Sequence, residues 1–315
     1  MIACYKCHAA CAHCMYGCSP ELCDEYVTQE AAEKICATVR RLGCRGMHIG
    51  GGEPFLNAAD LVALIKTMKK NGVDVDYVET NAAWISGDNK KDLAVINEVM
   101  ISGRECIMVS ADFFHIEFIP FSKPKYLIDL LARKRIPHFV WQQRYLPVLM
   151  KLDPHKTYTQ VELIGELGHD AVLKSAREYG MGFNGRALNL IRQMGKRKPA
   201  ADHLPDKPCD NLTRTDHFHA DLYGNYIPPG CTGMGIPIDK INKPLDISRY
   251  PIVARLFSGG LKELYRYAVS RGFEPDPEGY VSKCELCFAM RKFLYVNDAA
   301  NHPDITPGWY YRQNY

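Results

Sequence analysis

Six of the chain's 13 cysteines fall within its first 23 residues, and three of them, Cys7, Cys11 and Cys14, form C-x3-C-x2-C directly after the apolar run at residues 2–5. Thiols crowded this closely either bridge as disulfides or share a metal centre. A chain of 315 residues can bury a large core without cross-links, its cysteine count is odd, and charged or polar residues interrupt the first 35 positions, where a signal peptide needs an apolar stretch. The expectation is therefore reduced thiols in a cytoplasmic protein. No apolar run approaches the roughly 18 residues of a membrane span. The formal net charge is only +3, and the one short basic cluster, Lys196, Arg197 and Lys198, reads as solvated linker, so nothing points to nucleic acid. Spacing alone leaves two metal centres open for the triad. Zinc would take a fourth ligand from His8, His13, Cys4 or Cys18, whereas a cubane iron-sulfur cluster tolerates varied loop spacings and can leave one iron without a protein ligand.

Up to about residue 195 short apolar runs alternate with amphipathic stretches. Strands are expected at 2–5, 46–49, 75–80, 106–110, 139–142 and 181–184, and helices at 28–42, 61–68, 93–100, 126–134, 171–179 and 187–194. Thr28 supplies the first helix cap, and Ala32, Ile35, Cys36 and Val39 its apolar stripe. Six such units imply an α/β fold with a parallel sheet, a partial (β/α)6 TIM-like barrel whose ligands sit at the C-terminal ends of the strands. Residues 196–208, charged and carrying three prolines, read as a linker. Residues 209–315 form a smaller α+β extension, with a hairpin around Gly224, a helix near 261–269, and Cys209, Cys231, Cys284 and Cys287.

The second expected strand runs into Gly50, Gly51, Gly52, Glu53 and Pro54, a turn that exposes backbone and a carboxylate beside the loop after strand one. The triad followed about 40 residues later by GGEP resembles the radical S-adenosylmethionine (SAM) superfamily, over residues 1 to about 195. The resemblance implies that Cys7, Cys11 and Cys14 bind a [4Fe-4S] cluster whose remaining iron chelates SAM. It also implies that Gly51, Gly52, Glu53 and Pro54 contact the SAM amino group, and His13 matches a position that is usually aromatic. In such enzymes an electron from an external reductant such as flavodoxin or ferredoxin passes through the cluster and cleaves SAM to methionine and a 5′-deoxyadenosyl radical. That radical takes a hydrogen from substrate. Other residues at strand ends are candidates for holding SAM or substrate: Glu79, Thr80, Asn81, Ser110, Asp112, Gln142, Gln143, Asn184, Gly185 and Arg186.

Cys209, Cys231, Cys284 and Cys287 suit zinc or an iron-sulfur cluster equally by spacing. Their place after a radical SAM-like segment resembles the SPASM/twitch extensions, and four cysteines match the smaller twitch type with one auxiliary [4Fe-4S] cluster. Three local stretches resemble radical SAM peptide epimerases of the epipeptide type: CHAACAHCMYGCSP from Cys7, SADFFHIEFIP from Ser110, and the CxxC with its aromatic-rich tail. Those enzymes return a hydrogen from a cysteine adjacent to a cluster ligand. Here Thr232 follows Cys231, so Cys18 is the substitute candidate for donor. Cys4, Cys23, Cys36, Cys44 and Cys106 read as core. An epimerase acting on a peptide, carbohydrate or other small molecule is the leading expectation, with a twitch-type alcohol dehydrogenase or a non-catalytic metal module as alternatives. The lack of a leader-recognition segment ahead of the first strand tilts the expectation toward a ligand bound directly in the barrel. His115, Glu117, Tyr145 and the insertion at 144–166 are the candidate entrance.

Overall fold

Apolar runs separated by helices pair side by side in parallel, because a connection long enough to hold a helix returns the chain to the same end of the sheet. The computed structural model describes residues 1–100, 105–180, 184–214, 217–246 and 248–313. Strands β1 (Ile2–Cys4), β2 (Gly46–Gly51), β3 (Asp74–Thr80), β4 (Cys106–Ser110) and β5 (His138–Trp141) form one parallel sheet in the order 1-2-3-4-5. Helices α1 (Gln29–Arg41), α2 (Ala58–Lys70), α3 (Asn89–Val99) and α4 (Ser122–Lys134) make the four connections. The expected sixth strand falls on residues 181–183, outside those described, so the described sheet has five strands where the partial barrel calls for six.

Local chemistry accounts for these elements. Thr28 caps α1, its side chain accepting from Ala31 N at 3.2 Å, and the stripe Ala32, Ile35, Cys36 and Val39 is buried. Burying Ile35 alone is worth about 1.5–3 kcal/mol. Asp88 caps α3 by accepting from Lys90 N and Lys91 N at 2.9 and 3.2 Å. The insertion expected at the entrance is packed: α5 (Leu146–Leu149), α6 (Gln160–Leu167) and α7 (His169–Glu178) follow β5, and Tyr145, Leu149, Leu152, Tyr158 and Leu163 share a core with Phe113, Ile116 and Phe121.

The chain packs as two compact units. One comprises Met1–Cys11, Cys18–Gly180 and Asp221–Gly224, and the other Ala12–Gly17, Met181–Ala220 and Asn225–Tyr315. The second unit holds α8 (Ala187–Met194), the short antiparallel strands β6 (His219–Ala220), β7 (Asn225–Ile227) and β8 (Ile236–Pro237), then α9 (Pro251–Ser258), α10 (Gly260–Val269) and α11 (Lys283–Asp298). Its core joins Leu188, Ile252, Leu264, Leu286 and Met290 to the C-terminal Tyr310 and Tyr311. The segment 196–208, expected as a linker, is part of this unit. It has a 3-10 turn at Ala200–His203, and Lys198 pairs with Tyr280 through two backbone bonds of 2.8 Å.

Among the cysteines read as core, Cys4 and Cys36 are buried, while Cys44 and Cys106 are half-buried. Cys23 is a correction. It is exposed, because the chain at 22–24 runs through bends outside any strand or helix and offers no apolar face to pack against. No helix among the described residues is long and apolar enough to cross a membrane.

Candidate functional site

In the first unit the loop after β1 and the turn after β2 are held together by backbone. Gly52 N donates to Cys4 O at 2.8 Å and Glu53 N to Lys6 O at 3.0 Å. Glycine is required here by close approach. A Cβ on Gly52 would collide with the Lys6 carbonyl, and one on Gly51, whose φ is +123°, would come within 2.5 Å of Cys4 O. The result is a cradle in which the turn after β2 packs directly on the backbone that leads to Cys7.

Glu53 is fully buried, and its oxygens are committed. Oε1 accepts from Thr80 Oγ1 at 2.9 Å and Phe55 N at 3.1 Å, and Oε2 accepts from Asn81 N at 2.7 Å. Burial raises its carboxyl from 4.5 to about 7, against the lowering pull of these donors. Thr80 Oγ1 also accepts from Trp84 Nε1 at 2.9 Å, and the Trp84 ring stacks on Phe55 at 4.7 Å. Asn81 donates from Nδ2 to Cys7 Sγ at 3.3 Å, while Cys7 N donates to Ser19 O at 3.2 Å. Glu53, Thr80 and Asn81, expected to touch SAM, therefore first fasten the β2 and β3 ends to the Cys7 thiol. Pro54 opens the 3-10 turn Pro54–Asn57 that follows.

The other candidates occupy different environments. Ser110 ends β4 and is buried. Asp112 is fully buried, accepting from Phe114 N at 2.9 Å and His115 N at 3.1 Å, with His115 Nδ1 at 2.8 Å. Gln142 is in the left-handed region at φ +56°, and its amide exchanges hydrogen bonds with Ser175, donating to its carbonyl at 3.2 Å and accepting from its hydroxyl at 3.1 Å. Gln143 begins the 3-10 turn Gln143–Tyr145. Tyr145 donates to Glu178 at 2.6 Å, and Glu117 accepts from Gln160 at 3.3 Å. Glu79 lies 3.6 Å from His48, across β2 and β3. Cys18 is 2% exposed.

Cys7 and Cys11 belong to the first unit and Cys14 to the second, three residues further along the same loop. Inside the second unit the segment 12–17 is anchored on several sides. Arg186 N donates to Cys14 O at 3.1 Å, Tyr310 Oη to Met15 O at 3.2 Å, and Gln313 Nε2 to Gly17 O at 3.1 Å. Gly185, at φ +57°, lies so close that a Cβ would stand 2.6 Å from the Cys14 and Met15 carbonyls. His13 is buried in this segment, and Asn184 donates to Gly230 O. The C-terminal anchors Tyr310 and Gln313 gave no signal in the sequence beyond an aromatic-rich tail.

Cys209, Cys231, Cys284 and Cys287 line one pocket with Arg291 and Lys283. Cys284 and Cys287 are three residues apart in the first turn of α11, hence on one face, below the Ser282 cap that accepts from Glu285 N at 3.1 Å. Cys231 N donates to Pro228 O at 2.9 Å across the Pro-Pro-Gly turn, and Cys209 N to Leu256 O at 2.9 Å. Burial pushes the Cys231, Cys284 and Cys287 thiols up, Cys284 to about 11, and the neighbouring sulfurs push the same way. Three thiols raised by burial, with the half-buried Cys209 lining the same pocket, offer a four-thiolate donor set of the kind that holds an iron-sulfur cluster.

Residues 2–108 match the family of 4Fe-4S single cluster domains. The match spans the triad and the glycine cradle. No curated relative matches the chain. Similar solved structures include native anSMEcpe with bound AdoMet, at 13% identity and TM-score 0.43, covering 93% of this chain and 95% of that one. The same protein with AdoMet and Kp18Cys peptide matches at 13% identity and TM-score 0.44, over 93% and 95% of the two chains. With AdoMet and Cp18Cys peptide it matches at 12% and 0.41, again over 93% and 95%. Values this low carry no residue-by-residue correspondence.

Proposed function

We propose that this chain is a radical SAM enzyme, with a [4Fe-4S] cluster on Cys7, Cys11 and Cys14 and an auxiliary [4Fe-4S] cluster on Cys209, Cys231, Cys284 and Cys287. The observation that carries the reading is the glycine cradle Gly51–Gly52, tied by Glu53 and Asn81 to the Cys7 thiol, within a matched 4Fe-4S domain. When bound, the cluster and SAM supply a 5′-deoxyadenosyl radical able to take an unactivated hydrogen. The protein residues orient and dehydrate the site. Gly51 and Gly52 let the turn after β2 close on the Cys4–Lys6 backbone, Asn81 steadies Cys7, and Arg186 N with Gly185 steadies the Cys14 segment. A flavodoxin or ferredoxin is the fitting reductant.

Within this reading the favoured outcome is epimerisation of a peptide, sugar or other small molecule, with Cys18 as hydrogen donor. Cys18 is 2% exposed and lies four residues past Cys14. The competing outcome, alcohol oxidation with the auxiliary cluster taking the second electron, is favoured by the convergence of the four C-terminal thiols on one pocket. Reaction in deuterium oxide separates them. Epimerisation adds one solvent deuterium to an otherwise unchanged product, and Cys18→Ser then stops turnover while 5′-deoxyadenosine still forms. A product lighter by two hydrogens sinks epimerisation, and no 5′-deoxyadenosine from fully loaded protein sinks the enzyme itself.

A further inference from the structure

Arg291 lies on α11 seven residues after Cys284 and four after Cys287, so all three share a helix face, and all three line the same pocket. It is 2% exposed and among the largest fully buried side chains of the protein. One guanidinium nitrogen donates to Thr232 O at 3.1 Å and Tyr311 Oη at 2.6 Å, both neutral partners. Its Nε is buried without a hydrogen-bond partner. Among the described residues no carboxylate forms an ion pair with it, and no Asp or Glu lines the pocket. Burying a guanidinium is costly without an opposing anion, and among the described residues the ionisable groups facing it are Tyr310, Tyr311 and the cysteines, of which the thiols give up their protons to a bound metal. Protonated thiols would leave the cation uncompensated. Four thiolates around an iron-sulfur cube carry a net negative charge that grows by one on reduction.

We propose that Arg291 is the counter-charge for an auxiliary cluster on Cys209, Cys231, Cys284 and Cys287, and that it raises the reduction potential of that cluster. The inference rests on the auxiliary-cluster reading and adds its redox poise. A fixed, buried cation lining the same pocket as the four cysteines favours the more negative, reduced form. Lys283 also lines the pocket, but it is exposed, so water and salt screen its charge. Arg291 is a positioning and tuning residue. Nothing places it in contact with substrate.

The experiment uses the full chain carrying Cys7→Ala, Cys11→Ala and Cys14→Ala, anaerobically reconstituted, so that the only electron paramagnetic resonance signal comes from the auxiliary site. Iron and zinc are counted first. A background without iron overturns the auxiliary-cluster reading and the inference with it. With iron present, redox titration should place Arg291→Gln at a lower midpoint potential than the parent, with Arg291→Lys between them and Lys283→Met close to the parent. Loss of iron from Arg291→Gln while Arg291→Lys stays loaded also supports the counter-charge. A loaded Arg291→Gln at the parent potential overturns the inference alone, as does loss of iron from both variants.

Discussion

The two cysteine sites are built by opposite routes. The N-terminal triad is contiguous in sequence, eight residues from Cys7 to Cys14. The C-terminal set is scattered over 79 residues, from Cys209 to Cys287, yet it lies wholly inside one unit and lines one pocket. A contiguous motif needs the fold only to support its loop. A scattered set needs the fold to create the site. The supports differ accordingly: Cys7 is held by the polar strut of Glu53, Thr80 and Asn81, whereas Cys284 and Cys287 are fixed by helix geometry and a buried cation.

The sharpest way to break this comparison is to remove each thiol set in turn. Cys7→Ala/Cys11→Ala/Cys14→Ala should abolish 5′-deoxyadenosine formation, a loss on the order of 100-fold or more, while leaving about four irons per chain. Cys284→Ala/Cys287→Ala should lose about four irons and retain slow SAM cleavage. Metal analysis and chromatography of the nucleoside read both. If the two variants lose iron alike, the sites are not independent.

Gly52→Ala tests the cradle, because backbone cannot yield to a Cβ at the Lys6 carbonyl. The expected cost is about 2–3 kcal/mol of stability, read by denaturant unfolding, with SAM binding weakened in parallel. Glu53→Gln places an amide NH2 against backbone donors and should cost about 1–3 kcal/mol.

That cost should vary with pH. With its carboxyl raised from 4.5 to about 7, Glu53 holds a proton in the folded chain that the unfolded chain releases. This contribution to stability is complete below about 4.5 and is lost as pH rises through about 7. The gap in thermal midpoint between wild type and Glu53→Gln should therefore narrow from about pH 5 to about pH 8. A gap that widens would mean that the ionised carboxylate is the form the strut requires.

The smallest effect is expected at the other support. Tyr310→Phe removes the hydroxyl that donates to Met15 O and should cost about 1 kcal/mol. Hydrogen exchange should quicken across residues 12–17 and stay unchanged at β3, where the Glu53 strut is independent of Tyr310.

Much of the first unit was legible because its signals are local. Thr28 and the stripe from Ala32 to Val39 specify α1, and β4 begins and ends where its apolar run does. Gln142 was less legible: it reads as the last residue of a strand, but adopts φ +56° because its side chain is bound to Ser175, 33 positions away. The segment 196–208 misled for a similar reason. Its charge and prolines resemble a linker, but Arg197 pairs with Asp276 at 3.3 Å and Lys198 with the Tyr280 backbone. Arg291 had one available signal, its spacing from Cys284 and Cys287 on a helix, which means nothing until the helix and its burial are known.

The sequence by itself determined the chemistry on offer: a thiol triad at cluster spacing, a glycine turn after the second strand, and four more thiols beyond it. Those properties are set by residue type and short spacing, which survive any arrangement of the rest of the chain. Only the tertiary structure decided what each polar side chain is committed to, because burial and distant partners fix that. It turned Glu53 and Asn81 into a strut for Cys7, joined Cys209 and Cys231 to the α11 pair, and set in the same pocket a buried guanidinium that no carboxylate among the described residues pairs with.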